Sequence, residues 1–272
     1  MTGNIFASKP ITSYNIVKDV QEEITVKIYC FIVKKEAFNT TDCPTVGDAF
    51  FYKYYFIILF SAILILLITL PVKAFQLSPQ ALQQIQQKYG NAAVKRTIEW
   101  QNLINDNQHG GELHKLRVVT DFFNQFKSST DGKIWGKENY WATPVEFLGQ
   151  GQGDCEDFAL AKYFTLKEMG IPIDRLRLVY VTSKKLKQAH MVLAYYEMPD
   201  ADPLILDNLT PWILYGSERP DLIPIYTFNS ESIWLITKNN TQKSVSSIQE
   251  YSLWNDLIQK MQREAMPKEM LQ

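Results

Sequence analysis

The sequence predicts an α+β fold in which N-terminal helices pack on an antiparallel β-sheet that follows them. Three observations carry this expectation. Between residues 78 and 126 apolar side chains recur at helical spacing, and after residue 170 they alternate at strand spacing. Between the two lies a segment, 155–169, that is apolar nearly all round, as a buried central helix requires.

What precedes that domain reads differently. Tyr54 to Val72 is a run of 19 residues without a charge, flanked by Lys53 and Lys73, and is long enough to span a bilayer. Val72 and Ala74 occupy the −3 and −1 positions of a signal-peptidase site before Phe75. Residues 50–74 are therefore a signal peptide or a membrane anchor, and residues 75–272 an exported domain. Residues 1–49, with "VKKEA" and "ITVKIYCFIV", stand ahead of an export signal that normally comes first. The simplest expectation is that translation starts near residues 45–52 and that 1–49 over-extend the reading frame.

The first helix opens at Ser78, an N-cap, with Pro79 at the favoured first position; Leu82, Ile85 and Tyr89 share a face and Gly90 ends it. A second helix is expected from Ala92 towards Ile104. A third, Leu113 to Phe126, carries a stripe of Val119, Phe122, Phe123 and Phe126. "KSSTDGK" reads as a loop and "WATPVEFLGQGQG" as an irregular, glycine-rich approach to Cys155. The central helix runs from Cys155 to Met169, closed by Gly170. "RLRLVYV" and "AHMVLAYY" alternate as strands, "MPDADP" turns the chain, and "LILDNL" and "SIWLIT" follow as further strands. Trp254, Leu257, Ile258 and Met261 mark a closing amphipathic helix.

A net charge of −1 excludes the basic field of a nucleic-acid binder, and there is no internal repeat. Chemistry is confined to a few residues. With the leader removed, Cys155 loses Cys30 and Cys43 as disulfide partners, and one cysteine with three histidines does not make a structural zinc site. Cys155 is then an inert core thiol or a nucleophile. Its position at a helix N-terminus, where unpaired N–H groups favour thiolate, suits the second role. A nucleophilic thiolate needs a base and the base an orienting acid. His190, early in a strand and on the face of Val192 and Ala194, is the candidate base; a satisfied core histidine is the alternative. His109 and His114 read as surface residues. Asp207 is the candidate acid on the next strand, or else a turn former; sequence leaves the register of that hairpin open.

"GDCEDFALAKYFTLKEMGIP", "AHMVLAYY" and "LDNL" together resemble the transglutaminase-like core, with its papain-like Cys, His and Asp, here 35 and 17 residues apart. "YWATPVEFLGQGQGDCEDFALAKY" is similar to the nucleophile region of the bacterial transglutaminase-like cysteine proteases, the LapG-type periplasmic enzymes, and the likeness runs from about Leu77 to Ile236. The resemblance implies a periplasmic cysteine endopeptidase with Cys155 as nucleophile, His190 as general base and Asp207 as its orienting acid. By the same analogy the Trp141 indole is a candidate oxyanion donor beside the Cys155 N–H, against a plain core role. It also implies that the enzyme cuts the N-terminal region of a large surface adhesin, so controlling attachment and biofilm. An inner-membrane cyclic-di-GMP receptor would sequester it.

Asp154, Glu156 and Asp157 crowd the thiol. Helix capping explains one or two of them; a hard cation explains all three, because it takes oxygen ligands and neutralises the cluster. Ca2+ is the ion the resembling proteases use, so Asp154 and Glu156 are expected to bind it, with Asp157 a ligand or an inward-facing cap. The rival functions are a transglutaminase-like amidase or acyl transferase and a non-catalytic calcium-binding module of the same fold.

Overall fold

Seven strands form one antiparallel sheet, ordered β6–β5–β4–β3–β7–β8–β9. They are β3 (Leu176–Ser183), β4 (Gln188–Tyr195), β5 (Leu204–Leu206), β6 (Leu214–Tyr215), β7 (Leu222–Phe228), β8 (Ser232–Ile236) and β9 (Gln242–Ser247). The helices are α1 (Pro79–Tyr89), α2 (Asn91–Asn107), α3 (Glu112–Asn124), α4 (Asp131–Ile134), α5 (Pro144–Gln150), α6 (Cys155–Glu168), α7 (Ser252–Arg263) and α8 (Lys268–Leu271). A separate parallel ladder pairs β1 (Lys127–Ser128) with β2 (Gln152–Gly153). This computed structural model describes residues 74–236, 242–264, 266 and 268–271. The expectations for residues 1–49 and for the apolar segment 54–72 lie outside the described residues. Among the described residues no helix is long and apolar enough to cross a membrane.

Strand alternation divides the sheet into two faces. Leu176, Leu178, Met191, Leu193, Leu206 and Phe228 join the helices in the main core, while Val179, Val181, Val192, Ala194 and Ile205 form a smaller cluster. Helix α6 crosses the core side and packs on β4 and β3. From Asp157 to Leu166 it is buried on every side, with Phe158, Leu160, Tyr163, Phe164 and Leu166 all excluded from solvent, as a helix apolar nearly all round requires.

Helix starts follow local chemistry. Ser78 Oγ accepts from the Ala81 N–H at 3.1 Å to open α1, and Pro79 stands at its first position. Three stretches depart from the sequence expectation, the first being "LILDNL", a strand only over Leu204–Leu206, so that Asp207 stands just past its end. "WATPVEFLGQGQG" is not irregular throughout: Pro144–Gln150 is a helix opened by a capping box, in which Thr143 Oγ1 accepts from the Glu146 N–H and Glu146 Oε2 from the Thr143 N–H. "KSSTDGK" is not simply a loop, since it holds β1 and the start of α4. Strand β7 has no clear strand signal because Pro224 interrupts "LIPIYTF"; the proline sits beside a register shift at Tyr180/Val181, where a ladder N–H is dispensable.

The hairpin register, open in the sequence, is fixed by Leu193↔Leu206, Ala194↔Ile205 and Tyr195↔Leu204. Ala194 and Ile205 share a face. Two residues back from Ala194 is Val192, and two more is His190; two residues on from Ile205 is Asp207. The pleat therefore delivers His190 and Asp207 to the same side.

Candidate active site

His190 and Asp207 are both buried, and His190 Nε2 lies 2.8 Å from Asp207 Oδ1. Nε2 is thereby engaged, which leaves Nδ1 for proton exchange. Asp207 stands just past the end of β5 and does more than form a turn. Its second oxygen, Oδ2, accepts from the Arg219 guanidinium at 2.8 Å, and Oδ1 also accepts from the Leu209 N–H at 3.1 Å. Burial alone would push this carboxyl up, but the bonds from His190 and Arg219 outweigh it and bring it down to about 2. Arg219 is itself held by a fork to Asp221, at 3.0 and 2.9 Å. Asn124, the last residue of α3, donates to the Asp207 and Thr210 carbonyls at 2.8 and 3.0 Å, so the chain around the aspartate is fixed from the helical side as well.

Cys155 is the first residue of α6 and half-buried. The N–H of Met191, which belongs to the peptide that leaves His190, faces its sulfur and favours the thiolate. Helix packing on β4 thus brings the sulfur to the histidine's own backbone. The thiol is held protonated nonetheless: Sγ donates to Glu156 Oε2 at 2.7 Å, and burial, followed by the Glu156 charge, pushes its pKa up.

The approach to Cys155 is pinned on both sides. The β1–β2 ladder pairs Ser128 with Gly153. Gly153 has no room for a side chain, because a Cβ there would stand 2.7 Å from Asp157 Cβ and from the Phe147 ring. Asp154 is the N-cap of α6, accepting from the Glu156 and Asp157 N–H groups at 3.2 and 3.4 Å, and Asp157 Oδ2 reaches back to the Asp154 N–H.

These acids do not gather as their spacing suggests. Asp154 and Asp157 cluster with Asp131, each offering an oxygen within 4.8 Å of the others. Glu156 turns to the thiol instead. Asp131 comes from α4, and no local pattern marks it as a member of the site. Its Oδ2 accepts from the Tyr140 N–H at 2.7 Å, while Oδ1 is buried without a hydrogen-bond partner among the described residues. Burial and then mutual repulsion raise the Asp154 carboxyl; burial likewise raises Asp157 and Asp131. An orphaned carboxylate oxygen facing two more carboxylates fits a hard cation that takes oxygen ligands.

Trp141 is buried, its ring stacked on Phe228 with centres 5.6 Å apart and tilted against Tyr251 at 5.4 Å. What ties it to the site is its peptide: the Ala142 N–H donates to Asp157 Oδ1 at 2.7 Å. His109 and His114 are exposed, as expected.

Comparison with known proteins agrees with this geometry. The model of the bacterial transglutaminase-like cysteine proteinase family matches residues 74–228. Among solved structures, EGTA-treated LapG of Legionella pneumophila is 41% identical with a TM-score of 0.60, covering 69% of this chain and 100% of its own. Calcium-bound LapG from the same organism is 43% identical with a TM-score of 0.58, covering 67% and 98%. No curated protein matches the chain.

Proposed function

From the premise that the chain belongs to the bacterial transglutaminase-like cysteine proteinases, and is a cysteine protease, we propose that it is a calcium-dependent periplasmic endopeptidase that cuts a large surface adhesin. The observation that carries the catalytic part is the buried His190–Asp207 pair, anchored by Arg219, whose histidine backbone abuts the Cys155 sulfur. Nδ1 of His190 takes the thiol proton. Cys155 attacks the scissile carbonyl, and the proton then passes to the departing amine. Water hydrolyses the thioester, with His190 again the base. Asp207 holds the imidazole in the tautomer that leaves Nδ1 available and stabilises the imidazolium. The Cys155 N–H, unpaired at the helix start, donates to the oxyanion, and the Trp141 indole is the proposed second donor.

Asp131, Asp154 and Asp157 would hold the calcium ion, with Glu156 joining them once released from the thiol. When bound, the ion neutralises the carboxylates and ties α4, the approach loop and the start of α6 together. The calcium-bound form of LapG and the orphaned Asp131 oxygen support this part.

The substrate, and sequestration by an inner-membrane cyclic-di-GMP receptor, follow from the family resemblance, as does release of the adhesin as a control on biofilm. The test is incubation of the N-terminal periplasmic segment of a surface adhesin from the same cell with wild type and with Cys155→Ala. Wild type should release one fragment, EGTA should stop it and calcium restore it, and Cys155→Ala should be inert. Cleavage by Cys155→Ala, or by wild type in excess EGTA, refutes the reading.

A further inference from the structure

Helix α7 lies beyond the residues that match the family model, yet it sends a charged side chain into the wall of the acidic cluster. Lys260 is buried, and its ammonium donates to the Trp141 carbonyl at 2.6 Å. That carbonyl and the Ala142 N–H belong to one peptide group. The same planar unit therefore takes a charge-assisted bond from Lys260 on one side and gives a 2.7 Å bond to Asp157 Oδ1 on the other. One residue earlier the Tyr140 N–H holds Asp131 Oδ2 at 2.7 Å. Segment 140–142 thus grips two of the three clustered carboxylates through its backbone.

The grip is braced from behind. Lys260 Nζ stands 3.6 Å from Glu146 Oε2, 3.4 Å from Asp256 Oδ2 and 3.6 Å from the centre of the Tyr140 ring, while the Tyr140 hydroxyl donates to Glu146 Oε1 at 2.6 Å. We propose that Lys260 is a positioning residue for the cation site: by fixing the Trp141–Ala142 peptide it orients Asp157 and Asp131, and so sets the affinity of the cluster for a divalent cation. The inference rests on the calcium reading above.

Two effects of Lys260 on a bound cation have opposite signs. Its positive charge repels the ion, and its clamp orients the ligands. Glu146 and Asp256 neutralise the charge locally, so the clamp should dominate. Partners that orient metal ligands in this way are worth about 10- to 100-fold in metal affinity. Removing Lys260 should therefore weaken binding, whereas a purely electrostatic role would tighten it and a purely structural role would lower stability without changing it.

The probe is Tb3+, whose emission is sensitised by nearby aromatic rings such as Tyr140 and Trp135, their centres 4.5 Å apart beside the cluster. It is titrated directly and then displaced with Ca2+. The double variant Lys260→Met with Glu146→Gln removes both charges of the pair together, so that neither is left without the other, and circular dichroism in cation-free buffer reports its fold. We expect roughly tenfold weaker binding of both ions, with Lys260→Arg restoring most of it. Lys260→Gln stays beside Glu146 but stops short of the Trp141 carbonyl, and gives the same reading if the double variant folds poorly. Unchanged or tighter binding in a folded variant overturns the proposal. Failure of wild type to bind either ion sinks the calcium reading itself, and is seen before any variant is made.

Discussion

Replacing Lys162 by methionine should stabilise the protein, by an amount that depends on pH. Lys162 lies two turns into α6, fully buried, and its Nζ has no hydrogen-bond partner among the described residues. Burial drives its pKa from 10.5 down to about 7, with the Asp207 carboxylate offsetting part of the effect. A lysine whose folded pKa is depressed binds fewer protons in the native state than in the unfolded chain between those two values, so stability rises with pH across that window. Below about pH 7 both states are protonated and the full cost is felt; above 10.5 it has gone. At about 1.36 kcal/mol for each pH unit the upper bound is about 5 kcal/mol. Methionine has a similar volume and no charge to desolvate, so the variant should recover roughly 3–5 kcal/mol at pH 6. With a urea dependence of about 1–3 kcal/mol per molar, the unfolding midpoint should move up by about 1 M or more. The same titration at pH 9.5 should show most of the gain lost. Turnover per folded molecule should survive, since the bonds among His190, Asp207 and Arg219 do not involve Nζ. Equal midpoints at pH 6, or a gain that does not shrink with pH, would refute the reasoning.

Three further outcomes follow from the site. Asp207→Asn should fold yet lose about 10³- to 10⁴-fold in kcat, because the amide no longer dictates the imidazole tautomer; a melting temperature far below wild type with activity intact would make Asp207 structural. Arg219→Met removes a charge-assisted bond worth about 1.5–3 kcal/mol, so kcat/KM should fall about 10- to 100-fold. Because the depressed Asp207 pKa contributes stability that is present above 3.8 and lost as pH falls through about 2, Arg219→Met should also bring acid unfolding to a higher pH, visible in melts between pH 5 and 2. Glu156→Gln takes a negative charge from beside the sulfur, so in chelator the rate of Cys155 alkylation by iodoacetamide at neutral pH should rise; an unchanged rate would remove Glu156 as the group that holds the thiol protonated.

Much of this architecture was legible because local signals agreed with the fold. Ser78-Pro79, the all-round apolar helix after Cys155 and the alternation of "AHMVLAYY" each carry their own physical warrant, and each appears within a residue or two of expectation. The α5 helix was also readable: Thr143-Pro144 with Glu146 is a capping box with proline at the first position, obscured by the glycines that follow. Other features had no local signal. Asp131 and Arg219 reach the site across gaps of 23 and 12 residues, through a ladder and a turn that sequence periodicity does not encode. Asp207 was identifiable, but its orientation awaited the Ala194↔Ile205 register, since a slip of one residue would have turned it from His190.

The acids around the thiol divide their work by side-chain direction. Asp154 and Asp157 sit at the N-cap and the third helical position, a spacing that makes a reciprocal cap and leaves carboxylate oxygens directed at Asp131. Their negative charge is also favoured there, because it meets the partial positive charge of the helix start. Glu156, between them, cannot share that geometry: successive residues on a helix point about 100° apart, and its carboxylate falls beside Sγ. There it accepts a hydrogen bond from the thiol whose proton His190 must take, so a bare Glu156 opposes catalysis while its neighbours assemble the site. A cation at the cluster would reverse that opposition by drawing the carboxylate from the sulfur. The acid that looks most hostile to a thiolate is then the one through which its ionisation could depend on calcium.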